Sequence, residues 1–264
     1  MIFQGATPKI SIEDFLILSP NSIVSHMRKV RLNFLPRIFM MLALATGSLA
    51  VFAQNTQITA DKVYGYDPLL YNGLAYYFYP PPSTQGTQYM FDIFDAEGSV
   101  TVRGVTYPNQ AINYDIYNQQ LVLKYRTAIG SDNLLQISFA WLENFDMHSK
   151  HFEVITTADT IKEIFQTLGK GPAKVLYSFS RKLTVSNLTE SSVHYFAQIQ
   201  RTMYVSNGSK RQKYKNNRSF VKTFPEANHD QIFKYIRKNK LTVQKADDRH
   251  MTELINYCNT LLGT

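Results

Sequence analysis

The sequence predicts an α+β protein, mainly an antiparallel β meander or curved sheet with short helices and two C-terminal helices packing on it. Three observations carry this. Between Tyr89 and Trp141 apolar residues alternate with polar ones, and turn residues recur every eight to twelve positions, the pattern of an antiparallel meander. A second alternating stretch, from Val175 through Phe179 and on from Val193 to Val205, ends at Asn207-Gly208, a two-residue hairpin signal. The C-terminal stretch instead repeats at about 3.6 residues, the helical period. One face of the sheet needs cover, and the C-terminal helices supply it.

The first informative segment begins at Met27. Arg28, Lys29, Arg31 and Arg37 form a basic region, Ile38 to Phe52 is almost wholly apolar, and Val51-Phe52-Ala53 ends it on small or modest side chains. These parts make residues 27–53 a signal peptide, with cleavage predicted between Ala53 and Gln54. The apolar run is shorter than the roughly 20 residues that a bilayer core requires. Residues 1–26 carry no export logic and read as a start assigned too early. The net charge of +8 falls to about +5 once residues 1–53 are removed, because five Lys/Arg and two Asp/Glu lie there. Cys258 is the single cysteine, which excludes a disulfide framework and a Cys-rich metal site. Gln54 follows the cleavage point where a lipid anchor would need Cys. The expected location is periplasmic or secreted, and the mature chain is not expected to span a membrane.

Residues 54–88 are Tyr-rich and irregular, with Tyr76, Tyr77, Phe78 and Tyr79 ahead of Pro80-Pro81-Pro82 and a short strand expected at 74–79. Such rings cap the open end of a sheet, with their hydroxyls at the water boundary; stacking on sugars is the other use of a tyrosine surface. The meander follows at 89–155. A strand at Tyr89, Phe91 and Ile93 turns at Ala96-Glu97-Gly98. Val100 and Val102 come next, then a break at Arg103-Gly104, Val105 and Tyr107 beyond it, and after Pro108-Asn109 come Ile112, Tyr114 and Ile116. Asn118-Gln119 and Gly130-Ser131-Asp132 turn the chain again before Leu135, Ile137, Phe139 and Trp141.

Residues 156–264 hold a helix, the hairpin section and the two closing helices. Ile161, Ile164, Phe165 and Leu168 fall at helical spacing, with Gly169 as a stop, so a short helix is predicted over 159–168. Val193 to Val205 reads as one long strand returning through Lys210–Lys215. Pro225 opens a helix running to about Asn239, and Asp247-Asp248 opens the last one. Met251, Leu254, Ile255, Cys258 and Leu261 make its apolar stripe, which places Cys258 as a buried, inert thiol.

Chemistry-bearing residues gather in two places. Asp146, His148, His151 and Glu153 put two imidazoles and two carboxylates within eight residues. On a strand, however, His148 and His151 face opposite sides and Lys150 brings a positive charge, so a polar hairpin turn is the simpler reading and no metal or cofactor is assigned. From Ser209 to Lys240 ten Lys/Arg stand against two Asp/Glu. Within that stretch Lys210, Arg211, Lys213, Tyr214, Lys215 and Arg218 are the candidate binding residues. Export argues against nucleic acid, and no nucleic-acid motif accompanies the charges; an anionic envelope surface, a lipid or another envelope protein fits better. A solvated hairpin edge that resists unwanted pairing also accounts for them.

Phe220-Val-Lys-Thr-Phe-Pro225, the helix ending Tyr235-Ile-Arg-Lys-Asn-Lys-Leu241, and Leu254-Ile-Asn-Tyr257 resemble the C-terminal signature of uncharacterised exported proteins of the Bacteroidetes. Phe52-Ala-Gln54, Gly98-Ser-Val100, Gly104-Val-Thr-Tyr107 and Tyr114-Asp115 point the same way. The resemblance covers about half of the mature chain and implies export without any activity. No nucleophile elbow, Ser-x-x-Lys, His-Glu-x-x-His or phosphate-binding glycine loop is present. The expectation is an exported protein that binds non-enzymatically at the cell envelope. The alternatives are a periplasmic lipid or lipoprotein carrier with an apolar cavity, and a hydrolase without a recognisable motif.

Overall fold

The computed structural model describes residues 66–127, 129–156, 160–186, 193–207 and 210–263. Met1–Tyr66 and Asp67–Thr264 are separate units, and the expected signal peptide with its cleavage site lies outside the described residues. In the second unit the strands are β1 (Leu74–Ala75), β2 (Asp95–Val102), β3 (Val105–Asp115), β4 (Gln120–Arg126), β5 (Asp132–Gln136), β6 (Leu142–Met147) and β7 (Lys150–Thr156). They continue with β8 (Lys162–Leu168), β9 (Ala173–Ser180), β10 (Leu183–Ser186), β11 (Val193–Phe196), β12 (Gln200–Asn207) and β13 (Lys210–Tyr214). Eleven form one sheet in the order β1-β5-β4-β3-β2-β6-β7-β8-β9-β12-β13, and β10 pairs with β11 alone. The two β sections of the sequence are therefore a single antiparallel sheet.

That sheet curls strongly. Tyr114 on β3 and Phe152 on β7 are three strand spacings apart, about 14 Å in a flat sheet, yet their ring centroids lie 5.8 Å apart. Gln119, after β3, donates its side-chain amide to the Phe179 carbonyl on β9 at 2.9 Å. The inner face is a row of cross-strand partners, Tyr107, Val100, Phe145, Phe152, Gln166, Tyr177, Met203 and Tyr214. Phe145 and Phe152 stack at 4.7 Å. Tyr114, Phe145, Phe152 and Tyr177 are fully buried, so the concave side is filled by its own side chains.

Helices cover the C-terminal half of that face. α1 (Asn217–Val221) starts from a capping box between Asn216 and Ser219, and a 3-10 turn at Glu226–Asn228 leads into α2 (His229–Lys238). α3 (Asp248–Leu261) is capped by Asp247, whose side chain accepts from the His250 N–H. Ile232, Ile236, Met251, Leu254, Ile255 and Cys258 are buried, as the helical spacing predicts. Asn259 clamps α3 to the sheet: its carbonyl accepts from Ala173 N–H at 3.0 Å and its amide donates to Lys170 and Ala173 carbonyls.

Four local expectations are corrected. Residues 162–168 form strand β8 in place of a helix. β8 is buried on both faces from Ile164 to Leu168, and a strand without a solvent side loses its alternation and mimics helical spacing. Ala96-Glu97-Gly98 lies inside β2, while residues 89–94 are irregular. Gly98 marks a close approach: a Cβ there would sit 2.5 Å from Ile112 Cγ1, and the register against β3 shifts on both sides of it. Pro108-Asn109 bends β3 without ending it, Asn109 taking a φ of 56°. The long strand from Val193 is split into β11 and β12, because β11 leaves the main sheet to pair with β10 and Gln85.

Candidate functional site

The basic hairpin forms, with Asn207 opposite Lys210, and its charges are divided between the two faces. Tyr214 shares the inner face with Tyr177 and Met203. It is 1% exposed and packs edge-on to Phe220 at 5.1 Å. This corrects its place among the binding residues: the alternation that turns Arg211 and Lys213 outward turns Tyr214 into the core. Arg211 is held by Glu163 at 2.7 Å and lies over the rings of Phe165 and Tyr204. Lys215 donates its N–H to Ser219 Oγ in front of α1, and Arg218 lies within α1. Lys210 is on the other face, where with Lys222, Val205 and Gln212 it lines a cleft of about 350 Å³.

Asp146, His148, His151 and Glu153 do not converge on one point. His148 and Ser149 make the β6–β7 turn at positive φ. The His148 ring packs on Phe91, centroids 4.1 Å apart, and the His148 backbone N–H donates to the Asp95 carboxylate. His151 lies opposite Asp146, with Nδ1 at 2.7 Å from Asp146 Oδ1 and Nε2 at 3.5 Å from Glu153 Oε1. Glu153 in turn holds Lys174 at 2.9 Å, so the group is a chain of surface polar contacts. Among the described residues no set of three His, Cys, Asp or Glu is placed to hold a metal.

The Tyr-rich segment builds the other cleft. Asp67 fixes the turn ahead of it, accepting from Leu69 N–H and from the Tyr107 hydroxyl at 2.9 Å. β1 then pairs with β5, and Tyr76 N–H continues the pairing to the Leu134 carbonyl at 3.0 Å. Gly73 is obligatory there, since a Cβ would sit 1.8 Å from the Gln136 carbonyl oxygen. Beyond β1 exposure alternates: Tyr76 and Phe78 are partly buried, Tyr77 and Tyr79 are 78% and 82% exposed.

The result is a cleft of about 390 Å³ whose aromatic lining is Tyr76, Tyr77, Phe78, Tyr79, Tyr89 and Tyr125. Gln88, Asp132 and Asn133 add polar groups. Beneath it lies the fully buried Asp115. Its carboxylate accepts from Tyr117 N–H, Asn118 N–H, the Asn118 amide and the Tyr76 hydroxyl. Burial, and next the bond to Asp115, push the Tyr76 hydroxyl well above the ordinary tyrosine range. Burial raises Tyr89 as well. Both phenols therefore stay protonated near neutral pH, and Tyr76 gives its hydroxyl hydrogen to Asp115. Asp132 is neutralised by Lys124 at 2.9 Å and Arg126 at 3.5 Å.

Sequence reading picked out the ring cluster at 76–79 and missed Gln88, Tyr125, Asp132 and Asn133. No local pattern marks these four: strand register alone brings Tyr125 opposite Asn133 and carries β5 alongside β1. Comparison with family models, with curated proteins and with solved structures finds no significant match for the chain.

Proposed function

We propose that this chain is an exported, non-catalytic binding protein of the cell envelope, and that the tyrosine-lined cleft between the 76–79 segment and β5 holds its ligand. The observation that carries the reading is the construction of that cleft. Its rings stand on a saturated, buried carboxylate and a glycine-dependent strand pairing, while Tyr77 and Tyr79 are left open to solvent. A lipid or lipoprotein carrier would need apolar room behind the sheet, and side chains fill that space. Export rests on the basic region, apolar run and cleavage site of residues 27–53, and the resemblance to exported Bacteroidetes proteins agrees with it.

Cell fractionation of the full chain tests the reading. The mature N-terminus is expected at Gln54, the protein is expected with the envelope, and Tyr77→Ala/Tyr79→Ala is expected to shift it to the soluble fraction. An uncleaved cytosolic protein, or a double variant that stays on the envelope, would contradict it. The convergence of Lys210 and Lys222 on one cleft favours a second reading, contact with an anionic surface. Anionic vesicles that retain the protein but release Lys210→Ala/Lys222→Ala would support that reading instead.

A further inference from the structure

Resting on that reading, we infer that the ligand of the tyrosine cleft is a neutral carbohydrate, recognised by stacking on Tyr77 and Tyr79 and by hydroxyl pairing to Gln88 and Asn133. Charge comes first. Asp115 is saturated by four donors and Asp132 is neutralised by Lys124 and Arg126. The cleft therefore offers no lone carboxylate to a cation, which disfavours cationic peptides.

Polarity comes second. The Gln88 amide donates to the Tyr76 hydroxyl at 3.4 Å, and its side chain also hydrogen-bonds the Tyr89 hydroxyl. The Asn133 side chain is exposed and open to a ligand. A primary amide sets an acceptor beside a donor, which matches the adjacent hydroxyls of a sugar, each both donor and acceptor. An acyl chain would desolvate these amides without replacing their bonds to water. An extended peptide offers fewer groups of this kind per unit length.

Ring geometry comes third. Exposure alternates along residues 76–79, with Tyr77 and Tyr79 the two outward positions, so their side chains are two residues apart on one side. Successive same-side positions of an extended chain are about 6.5–7 Å apart, a spacing suited to successive units of a glycan chain. The C–H groups on one side of a sugar ring carry partial positive charge and meet the negative face of a phenol ring. The fit is to a chain of at least two neutral sugar units.

Native gel electrophoresis of the full chain through neutral polysaccharides (a glucan, a mannan, a xylan) tests this beside an anionic alginate gel, a polyproline peptide and phosphatidylcholine vesicles. At least one neutral polysaccharide is expected to retard the protein. Tyr77→Ala/Tyr79→Ala is expected to weaken that binding about tenfold and, since both rings are exposed, to leave the melting temperature unchanged. Asn133→Ala, which alters an exposed polar side chain, is expected to weaken it separately. Retardation that the variants do not change overturns the inference, as does the absence of retardation by every neutral polysaccharide. Cleft-dependent binding of polyproline, alginate or vesicles overturns the carbohydrate assignment and leaves the cleft as the binding site. A double variant that also keeps its envelope association removes both.

Discussion

Coupling between Tyr114 and Phe152 measures the curl of the sheet directly. Both rings are fully buried and lie 5.8 Å apart at 69°, an edge-to-face pair between strands three positions apart in the sheet. Replacing each by Leu keeps most of the aliphatic volume and removes the ring, at a cost of about 1–2 kcal/mol for each single change. A ring pair in this geometry contributes about 0.5–1.5 kcal/mol beyond buried area, so the double variant is expected to lose less than the two single losses combined, by that amount. The loss of the Tyr114 hydroxyl bond to Gln119 at 2.6 Å is common to both legs of the cycle and cancels. Urea denaturation of the four proteins, read by circular dichroism, gives the number. In a flat sheet the side chains would be about 14 Å apart and their effects additive. A coupling below about 0.3 kcal/mol would therefore refute the curled sheet.

Gly73→Ala is expected to spring β1 from β5, because its Cβ would meet the Gln136 carbonyl at 1.8 Å; hydrogen exchange at Tyr76 N–H should accelerate, with a loss of about 1–3 kcal/mol. Burial pushes the Cys258 thiol from 9.0 up to about 12 and the Tyr177 hydroxyl from 10.0 up to about 12. Both ionise earlier in the unfolded chain, so their contribution is full below the unfolded values and is lost as pH rises through that window. Each group then removes about 1.4 kcal/mol per pH unit, and a denaturation midpoint that stays flat from about pH 8 to about pH 11.5 would contradict this. The native Cys258 thiol should also resist a disulfide reagent that labels the unfolded chain at once. Arg211→Ala, which breaks a partly exposed pair with Glu163, should cost less than about 1.5 kcal/mol by thermal melting, even with the loss of its ring contacts.

The fold class and the helical closure were legible because alternation and helical spacing follow from which faces meet water. Met251, Leu254, Ile255 and Cys258 are buried where the stripe places them. β8 was misread for the same reason: with Phe165 and Thr167 buried on one face and Ile164 and Gln166 on the other, it has no solvent side to advertise a strand. Gly98 has two uses, a turn or a close approach, and only the position of Ile112 decides between them. The candidate site was half legible. The cluster at 76–79 is dense enough to notice, but Asn133 and Gln88 join it through strand register and the path of the 85–94 segment, which no local spacing encodes. Tyr214 shows the converse, a ring in a charged run whose strand parity sends it inward.

Backbone amide shift mapping during titration with a neutral oligosaccharide tests the cleft as the binding site most directly. Perturbations are expected at residues 75–79, 88–89, 125 and 132–134, the lining of the cleft, and in none of the residues around Lys210 and Lys222. Shifts centred on 205–225, or no shifts at saturating sugar, would contradict the account.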